Sequence, residues 1–225
     1  MLKARISEVF LSKQGEGPFI GIDQIFIRFA GCSLDCIYCD TDTTVFTQYS
    51  VDELLKKVLS FKEEVDSVSI TGGEPLEQVS FLEKFLPELK AAEYEVYLET
   101  NGLLYKELER VIEFVDIIAM DIKLPSVMKR PECWTDHLNF LRIAVKKYVF
   151  CKLVTSEETD LEDIKKAGEL ISKVDKHIET IIQPVSSLGY AGEITIRQKK
   201  YKKMLKPYLC NVNIIPQMHK VWGIK

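Results

Sequence analysis

Short apolar or β-branched runs alternate with helical patterns along most of the chain. The runs predict strands, and several end in Gly, Pro, Ser or Asn: residues 24–31, 66–73, 94–102, 116–124, 148–156, 179–185 and 211–217. Apolar residues at helical spacing predict helices from residue 51, over 104–115 and over 161–174. A fainter helical pattern covers 133–147 and 193–207. We interpret these apolar stripes as faces that pack on a core.

Two of the helices are preceded by residues with the spacing of a capping box. Ser50 and Glu53 have this spacing before the first helix. Thr159 and Glu162 have it before the helix that follows residue 160. The sequence therefore predicts that both helices begin at these points.

Alternating strands and helices predict a parallel sheet covered by helices. No linker or repeat interrupts the chain, so residues 1–225 are expected to form a single domain. Six or seven strands suit a doubly wound sheet or a barrel, complete or partial, and in both the ligand lies beyond the C-terminal strand ends. The polar, glycine-rich strings fall at those ends: GCSLDCIYCD, TGGEP, ETNG, DIKLPS and QPVSS.

The composition is that of an ordinary globular protein, with 46% hydrophobic and 28% charged residues among 225. The net charge of −4 is spread along the chain, which argues against nucleic acid or an anionic membrane as a partner. The start MLKARISEVF lacks the apolar stretch of a secretory signal, and no run is long enough to span a bilayer. A cytoplasmic location is therefore expected, where the six cysteines stay reduced as metal ligands or buried thiols.

Half of the cysteines lie in GCSLDCIYCD, as Cys32, Cys36 and Cys39 in the spacing Cys-x3-Cys-x2-Cys. A structural zinc site needs four protein ligands, and a 4Fe–4S cluster needs one ligand for each iron. Three thiolates therefore leave one iron open or recruit a distant fourth ligand. Cys151 and Cys210 fit buried thiols, whereas Cys133, in a loop-like segment, remains a candidate ligand. A zinc site stays a structural alternative.

The cysteine spacing, with the aromatic Tyr38 before the last cysteine, resembles the radical S-adenosylmethionine (SAM) superfamily. The resemblance implies that the open iron of a 4Fe–4S cluster chelates the methionyl amine and carboxylate of SAM. It also implies that the segment around Gly72, Gly73 and Glu74 holds the methionyl ammonium. Glycine lets the backbone approach a ligand closely, and the Glu74 carboxylate can fix polar groups nearby.

Further strings resemble one family of that superfamily, the 7-carboxy-7-deazaguanine synthases: FLSKQGEGPFIG, IRFAGC, ETNG and QMHKVWGIK. The resemblance implies a fold that is a modified, partial TIM-type barrel of about six parallel strands with outer helices. It implies conversion of 6-carboxy-5,6,7,8-tetrahydropterin to 7-carboxy-7-deazaguanine with release of ammonia, a step of queuosine and 7-deazapurine biosynthesis. It further implies a Mg²⁺ requirement, a homodimer, and an electron donor such as flavodoxin or ferredoxin.

Residue by residue, the resemblance assigns the pterin to the loop around Gln14 and to four later positions. Gln14 and Glu16 offer an amide and a carboxylate to its donor–acceptor edge, and Arg28 can form a forked ion pair with its carboxylate. Thr41 is expected to hold Mg²⁺, with Asp42 nearby. The full substrate set is Lys13, Gln14, Gly15, Glu16, Arg28, Thr100, His219 and Lys225.

SAM is expected beside the cluster, at the ends of the middle strands. Asp121 can accept from the ribose hydroxyls and Lys123 can balance the methionyl carboxylate, while Glu99 orients its loop. The full cofactor set is Tyr38, Cys39, Asp40, Gly72, Gly73, Glu74, Gly102, Asp121, Ile122, Lys123 and Gln183.

Some positions depart from the family pattern or lack such a context. Lys13 replaces an apolar residue before the Gln-Gly-Glu-Gly string, so its side chain has to leave the pocket. His137 and His177 are interpreted as surface residues. Two other functions stay open: a different radical enzyme, such as a glycyl-radical-enzyme activase, and a non-enzymatic metal-binding protein.

Overall fold

A computed structural model describes residues 2–34, 36, 39, 44–61, 65–185 and 194–224. Within these residues nine strands form one sheet: β1 Ala4–Lys13, β2 Asp23–Phe29, β3 Thr47–Tyr49, β4 Ser67–Gly72, β5 Glu95–Thr100, β6 Ile117–Asp121, β7 Tyr148–Thr155, β8 Glu179–Pro184 and β9 Val212–Ile214. The helices are α1 Val51–Leu59, α2 Val79–Ala91, α3 Tyr105–Val111, α4 Pro125–Met128, α5 Trp134–Ala144, α6 Leu161–Ser172, α7 Ile196–Leu205 and α8 Met218–Trp222. None of them is long and apolar enough to cross a bilayer.

The strand order is β3-β1-β2-β4-β5-β6-β7-β8-β9, and every neighbouring pair from β2 to β9 is parallel. Because parallel crossovers are right-handed, an order without a reversal places the connecting helices on one face of the sheet. A doubly wound sheet would need such a reversal, so that alternative is excluded. The described strands leave β3 and β9 as open edges, in agreement with the expected partial barrel.

All seven predicted strands are present, but the sheet also contains two strands that the pattern did not reveal. β1 pairs antiparallel with β2, and β3 pairs antiparallel with β1. The alternation along β1 is irregular because its register with β2 shifts between Ile6 and Glu8. These strands extend the sheet beyond the parallel set, beside the cysteine segment.

Among the predicted helices, the capping box of Ser50 and Glu53 is confirmed, whereas that of Thr159 is wrong. The N-cap of α6 is Asp160, and the Thr159 hydroxyl instead accepts a hydrogen bond from the Ser156 amide at 2.8 Å. The long helix α2 was not predicted, and it contains Pro87, a residue that normally ends helices.

The alternation of side chains along the parallel strands creates two faces with different roles. One face packs against the helices in the main core, with residues such as Val96, Leu98 and Ile118. The other begins with an apolar plug, in which Phe19 contacts Tyr97 edge to face with ring centroids 5.8 Å apart. Two residues further along each strand the same face becomes polar, with Glu99, Asp121, Lys152 and Gln183. This polar layer is the floor of the site.

Candidate active site

A cavity of about 1090 Å³ opens at the C-terminal edge of the parallel strands, above the polar layer. It brings together most of the predicted site residues: Lys13, Gln14, Gly15, Glu16, Arg28, Cys32, Cys36, Cys39, Gly72, Gly73, Thr100, Asp121, Lys123, Gln183 and His219. Glu74, Gly102 and Ile122 do not line it. Tyr38, Asp40, Thr41, Asp42 and Lys225 lie outside the described residues.

The three clustered cysteines all line this cavity, while Cys133, Cys151 and Cys210 do not. The amide of Cys39 donates to the carbonyl of Cys36 at 2.9 Å. Partial desolvation raises the pKa of Cys32 to about 11, to which the nearby carboxylates of Glu74 and Glu77 also contribute. The free Cys32 thiol is therefore neutral at pH 7, and metal binding has to displace its proton.

The Thr-Gly-Gly-Glu-Pro turn packs tightly against the segment that leads into Cys32. The amide of Gly73 donates to the carbonyl of Phe29 at 2.8 Å, and that of Glu74 donates to the carbonyl of Gly31 at 2.9 Å. A Cβ atom on Gly73 would collide with the Gly31 carbonyl, and Gly72 has a φ of +119°. Both glycines are thus needed for this contact, which fixes the cysteine segment relative to β4.

Glu74 does not face the cavity but supports the loop after β5 from below. Its fully buried carboxylate accepts hydrogen bonds from the Thr100 hydroxyl at 2.9 Å and from the amides of Asn101 and Leu76 at 2.8 and 3.1 Å. Burial raises its pKa to about 7, although these hydrogen bonds oppose the shift. Glu74 therefore orients Thr100 and Asn101, which do line the cavity.

The floor contains a buried ion cluster centred on Lys152, a residue that the sequence analysis missed. Its ammonium lies 2.6 Å from a carboxylate oxygen of Glu16 and 3.6 Å from one of Glu99. Burial alone would raise the pKa of Glu16, but Lys152 and a 2.9 Å hydrogen bond from Gln217 lower it to about 2. Burial would likewise lower the pKa of Lys152, yet the carboxylates of Glu16, Glu99 and Asp121 raise it. The sequence signal was a lysine within an apolar strand, YVFCKLVT.

Gln14 connects this cluster to the rest of the floor. Its amide nitrogen donates to Gln24 and to Glu99, both at 3.1 Å, and its amide oxygen accepts from the amide of Glu16 at 3.0 Å. Gln14 is buried, and all three interactions are within the protein. Its side chain thus shapes the loop that presents Glu16.

The wall formed by β1 and β2 carries Arg28. The guanidinium Nε lies 3.3 Å from a carboxylate oxygen of Glu8, and the group stacks over the Phe10 ring at 5.6 Å. Lys13 has its ammonium 3.0 Å from Asp23, and this pair is exposed. The ammonium of Lys13 therefore pairs with an exposed carboxylate. This agrees with the expectation that the Lys13 side chain points away from the pterin pocket.

Three cavity-lining side chains contain buried polar atoms without a hydrogen-bond partner among the residues that the structure describes. They are Nδ2 of Asn101, Oδ1 of Asp121 and Oε1 of Gln183. The other oxygen of Asp121 lies 2.6 Å from the Lys123 ammonium. Buried polar groups are normally paired, so these atoms mark positions where a bound molecule supplies the partner.

The C-terminal segment adds Gln217, His219, Lys220 and Ile224 to the lining of the cavity. The amide of Met218, the first residue of α8, donates to the carbonyl of Gly15 at 2.8 Å. A Cβ atom on Gly15 would lie only 2.6 Å from Cβ of His219. The glycine therefore lets His219 pack directly on the loop that carries Glu16.

Two sequence interpretations are wrong: Cys210 was interpreted as a buried thiol but is exposed, and the second concerns His137. His137 was interpreted as a surface residue, and this is wrong, because α5 places its imidazole in the interior with no exposed area. Ile122 is fully buried in the main core. His177 is exposed, as expected.

The model of the radical SAM superfamily matches residues 26–156, more than half of the chain. The chain therefore belongs to the radical SAM superfamily, which implies a 4Fe–4S cluster and SAM as cofactors.

Within that superfamily, the chain belongs to the 7-carboxy-7-deazaguanine synthase family. It is 39% identical to the 7-carboxy-7-deazaguanine synthase of Geobacter sulfurreducens, over 98% of this chain and 97% of the relative. It is 32% identical to that of Methanothermobacter thermautotrophicus, over 100% and 99% of the two chains. The crystal structure of QueE from Escherichia coli shares the fold, with a TM-score of 0.68 at 20% identity over 96% of this chain and 95% of that one.

The residues present fit the implied cofactors. No three His, Cys, Asp or Glu side chains in the described ranges are placed to hold one metal ion together. A four-iron cluster does not require this, because each thiolate binds a different iron. Three thiols share the cavity, and the unpartnered atoms of Asn101, Asp121 and Gln183 offer one donor and two acceptors for a polar ligand beside them.

Proposed function

We propose that this chain is a carbon–nitrogen lyase that converts 6-carboxy-5,6,7,8-tetrahydropterin to 7-carboxy-7-deazaguanine with release of ammonia. The observation that carries the proposal is that one cavity holds both the cysteine triplet and the Gln-Gly-Glu-Gly loop. The first belongs to the radical SAM superfamily as a whole, whereas the second is the part of the sequence that resembles the synthases. The two bacterial and archaeal relatives of this chain described above are named 7-carboxy-7-deazaguanine synthases.

The cofactor half of the proposed site lies between the cysteines and the ends of β4, β5 and β6. When bound, the reduced cluster and SAM supply a 5′-deoxyadenosyl radical, the hydrogen-abstracting species of this chemistry. Cys32, Cys36 and Cys39 would hold the cluster. Asp121 would accept from the ribose hydroxyls through its unpartnered oxygen while its other oxygen keeps Lys123 in place.

The substrate half lies over the Lys152 cluster. The Glu16 carboxylate is ionised and already accepts from Lys152 and Gln217, but a carboxylate has about four acceptor sites and can still accept from the N–H groups of a pterin. Lys152 and Gln217 fix the orientation of this carboxylate, so it is preorganised before the substrate binds. His219 and α8 cover this half and limit the access of water.

Arg28 would bind the C6 carboxylate of the pterin. Its partner Glu8 is more than one third exposed, so a substrate carboxylate can replace or share that ion pair at little cost. The guanidinium also lies over the Phe10 ring, which contributes a cation–π contact at the cavity wall. Arg28→Lys is expected to bind the acid more weakly, because an ammonium cannot make a forked contact.

Three further parts of the proposal rest on the family resemblance. Mg²⁺ would be held by Thr41 against the substrate, which suits an ion that keeps few protein ligands. The enzyme would act as a homodimer. A flavodoxin or ferredoxin would supply the electron.

The test is turnover after anaerobic reconstitution with iron and sulfide. The reduced protein should form 7-carboxy-7-deazaguanine from the carboxytetrahydropterin and SAM. Cys36→Ala should lose cluster and product together, whereas Cys133→Ala, whose thiol lies outside the cavity, should keep both. Loss of iron in Cys133→Ala as complete as in Cys36→Ala would contradict the assignment of three ligands.

A further inference from the structure

His137 lies in the first turns of α5 and bridges two loops at the C-terminal edge of the sheet. Its Nδ1 is 3.1 Å from the carbonyl oxygen of Gly102, in the loop after β5. Its Nε2 accepts a hydrogen bond from the amide of Lys123, in the loop after β6, at 3.0 Å. Because β5 and β6 are adjacent parallel strands, the imidazole sits between two loops that both border the cavity.

These contacts define the tautomer and the charge of the ring. A carbonyl can only accept and an amide can only donate, so Nδ1 carries the proton and Nε2 carries none. Burial lowers the pKa of His137 to about 4, with Asp121 and Lys123 as the charged groups that face it. The ring is therefore neutral throughout the pH range in which the enzyme would be assayed.

We propose that His137 is a positioning residue that sets the spacing of the loops after β5 and β6, whose Asn101, Asp121 and Lys123 line the SAM side of the cavity. This inference rests on the proposed function for the identity of the ligand. The geometry gives it a direct route: one contact fixes the main chain of Gly102, and the other fixes the main chain of Lys123, whose ammonium holds Asp121.

Simple packing does not explain a histidine at this position. The other buried residues of α5 are the apolar Phe140, Leu141 and Ala144. An apolar side chain would fill the same space without the cost of burying an imidazole. It would, however, leave the Gly102 carbonyl and the Lys123 amide without this partner, and both loops would be free to separate.

The test measures SAM affinity by equilibrium dialysis on the cluster-reconstituted protein, without pterin. His137→Phe keeps a buried aromatic ring, somewhat larger than the imidazole, and removes both hydrogen bonds, so we expect at least a tenfold weaker affinity with unchanged iron content. His137→Gln keeps one donor and one acceptor on a flexible side chain, so it should recover part of the loss. Phe140→Leu is the matched control, a buried change on the same helix, and should keep the SAM affinity within twofold while lowering the thermal midpoint.

Wild-type affinity in His137→Phe, or an equal loss in Phe140→Leu, would overturn the inference. If His137→Phe fails to fold, the comparison passes to His137→Leu, which also removes both hydrogen bonds and whose wild-type SAM affinity would equally refute the inference. The proposed function fails separately, when wild-type protein binds SAM but forms no 7-carboxy-7-deazaguanine. In that case the bridge between the loops still accounts for SAM affinity.

Discussion

The two halves of the cavity treat their polar groups in opposite ways. On the substrate side, Lys152, Glu16 and Gln14 are joined by short contacts within the protein. On the cofactor side, Asp121 and Gln183 each keep a buried oxygen without a partner in the described ranges. The polar groups of the substrate half are thus hydrogen-bonded to one another before a ligand binds. In the cofactor half, some buried polar atoms have a partner only when a ligand supplies it.

This difference indicates that the substrate half orients its own side chains, whereas the cofactor half recognises a ligand. A buried ion cluster in which every charge is paired contributes little net stability, but the loss of one of its members is costly. The cluster therefore fixes the position of each of its side chains, including the Glu16 carboxylate. An unpartnered buried oxygen costs about 1–3 kcal/mol in the free protein, and a ligand that donates to it recovers that cost. Removing a group should therefore lower stability on the substrate side. On the cofactor side it should lower the affinity for the ligand without lowering stability.

The largest effect is expected for Lys152→Met. Without the ammonium, the largely buried carboxylates of Glu16 and Glu99 both lose their cation, a change that typically costs about 3–5 kcal/mol. Denaturant unfolding of the variant should show this loss of unfolding free energy. Adding Glu16→Gln in the same chain should restore part of it.

Lys129→Met is the matched control for this change. Its ammonium also lies 2.6 Å from a carboxylate oxygen, that of Glu158, but both side chains are more than half exposed. Exposed pairs contribute about 0–1 kcal/mol, so this variant should be nearly as stable as wild type. Equal losses in the two variants would show that burial does not distinguish the pairs.

The next effect is a dependence of stability on pH through Glu74. Its pKa is about 7 in the folded protein against an ordinary value of 4.5, so folding favours the protonated carboxyl. Its contribution to stability is complete below about pH 4.5 and is lost as the pH rises through about 7, on the order of 3 kcal/mol in total. Glu74→Gln should have a flatter profile than wild type between pH 5 and pH 8 in denaturant unfolding.

A smaller effect, a loss of affinity without a loss of stability, is expected for Gln183→Met. The change removes a buried oxygen that has no partner in the described part of the chain, so the unfolding free energy should not fall, and it can rise by up to about 1–3 kcal/mol. SAM should bind about tenfold more weakly, which corresponds to about 1.4 kcal/mol. Unfolding curves and SAM titrations of the same sample measure both. A large loss of stability with normal SAM binding would place Gln183 in the structural half instead.

Local pattern was sufficient for the parallel sheet because each strand is a short apolar run that ends in a turn residue. The runs at 66–73 and 148–156 contain β4 and β7 within two residues. β1 escaped detection because its residues are mostly half-buried and its register is irregular. The capping box of Thr159 failed because its hydroxyl accepts from the Ser156 amide, in the preceding turn, instead of from an amide of α6.

The site residues that sequence reasoning missed are those whose role depends on contacts far along the chain. Lys152 and Glu16 are separated by 136 positions, and no local pattern around either residue predicts that they form an ion pair. His137 shares no motif with Gly102 or Lys123, and only the packing of α5 brings the three together. The motif residues could be located from their strings, whereas their orientation required the fold.

The most direct test of the proposed function is the ratio of product formed to SAM consumed, with 6-carboxy-5,6,7,8-tetrahydropterin as substrate. The account predicts several molecules of 7-carboxy-7-deazaguanine for each SAM lost, because SAM is regenerated in the proposed reaction. Consumption of SAM to 5′-deoxyadenosine without any deazaguanine would contradict it and would indicate a different radical SAM enzyme.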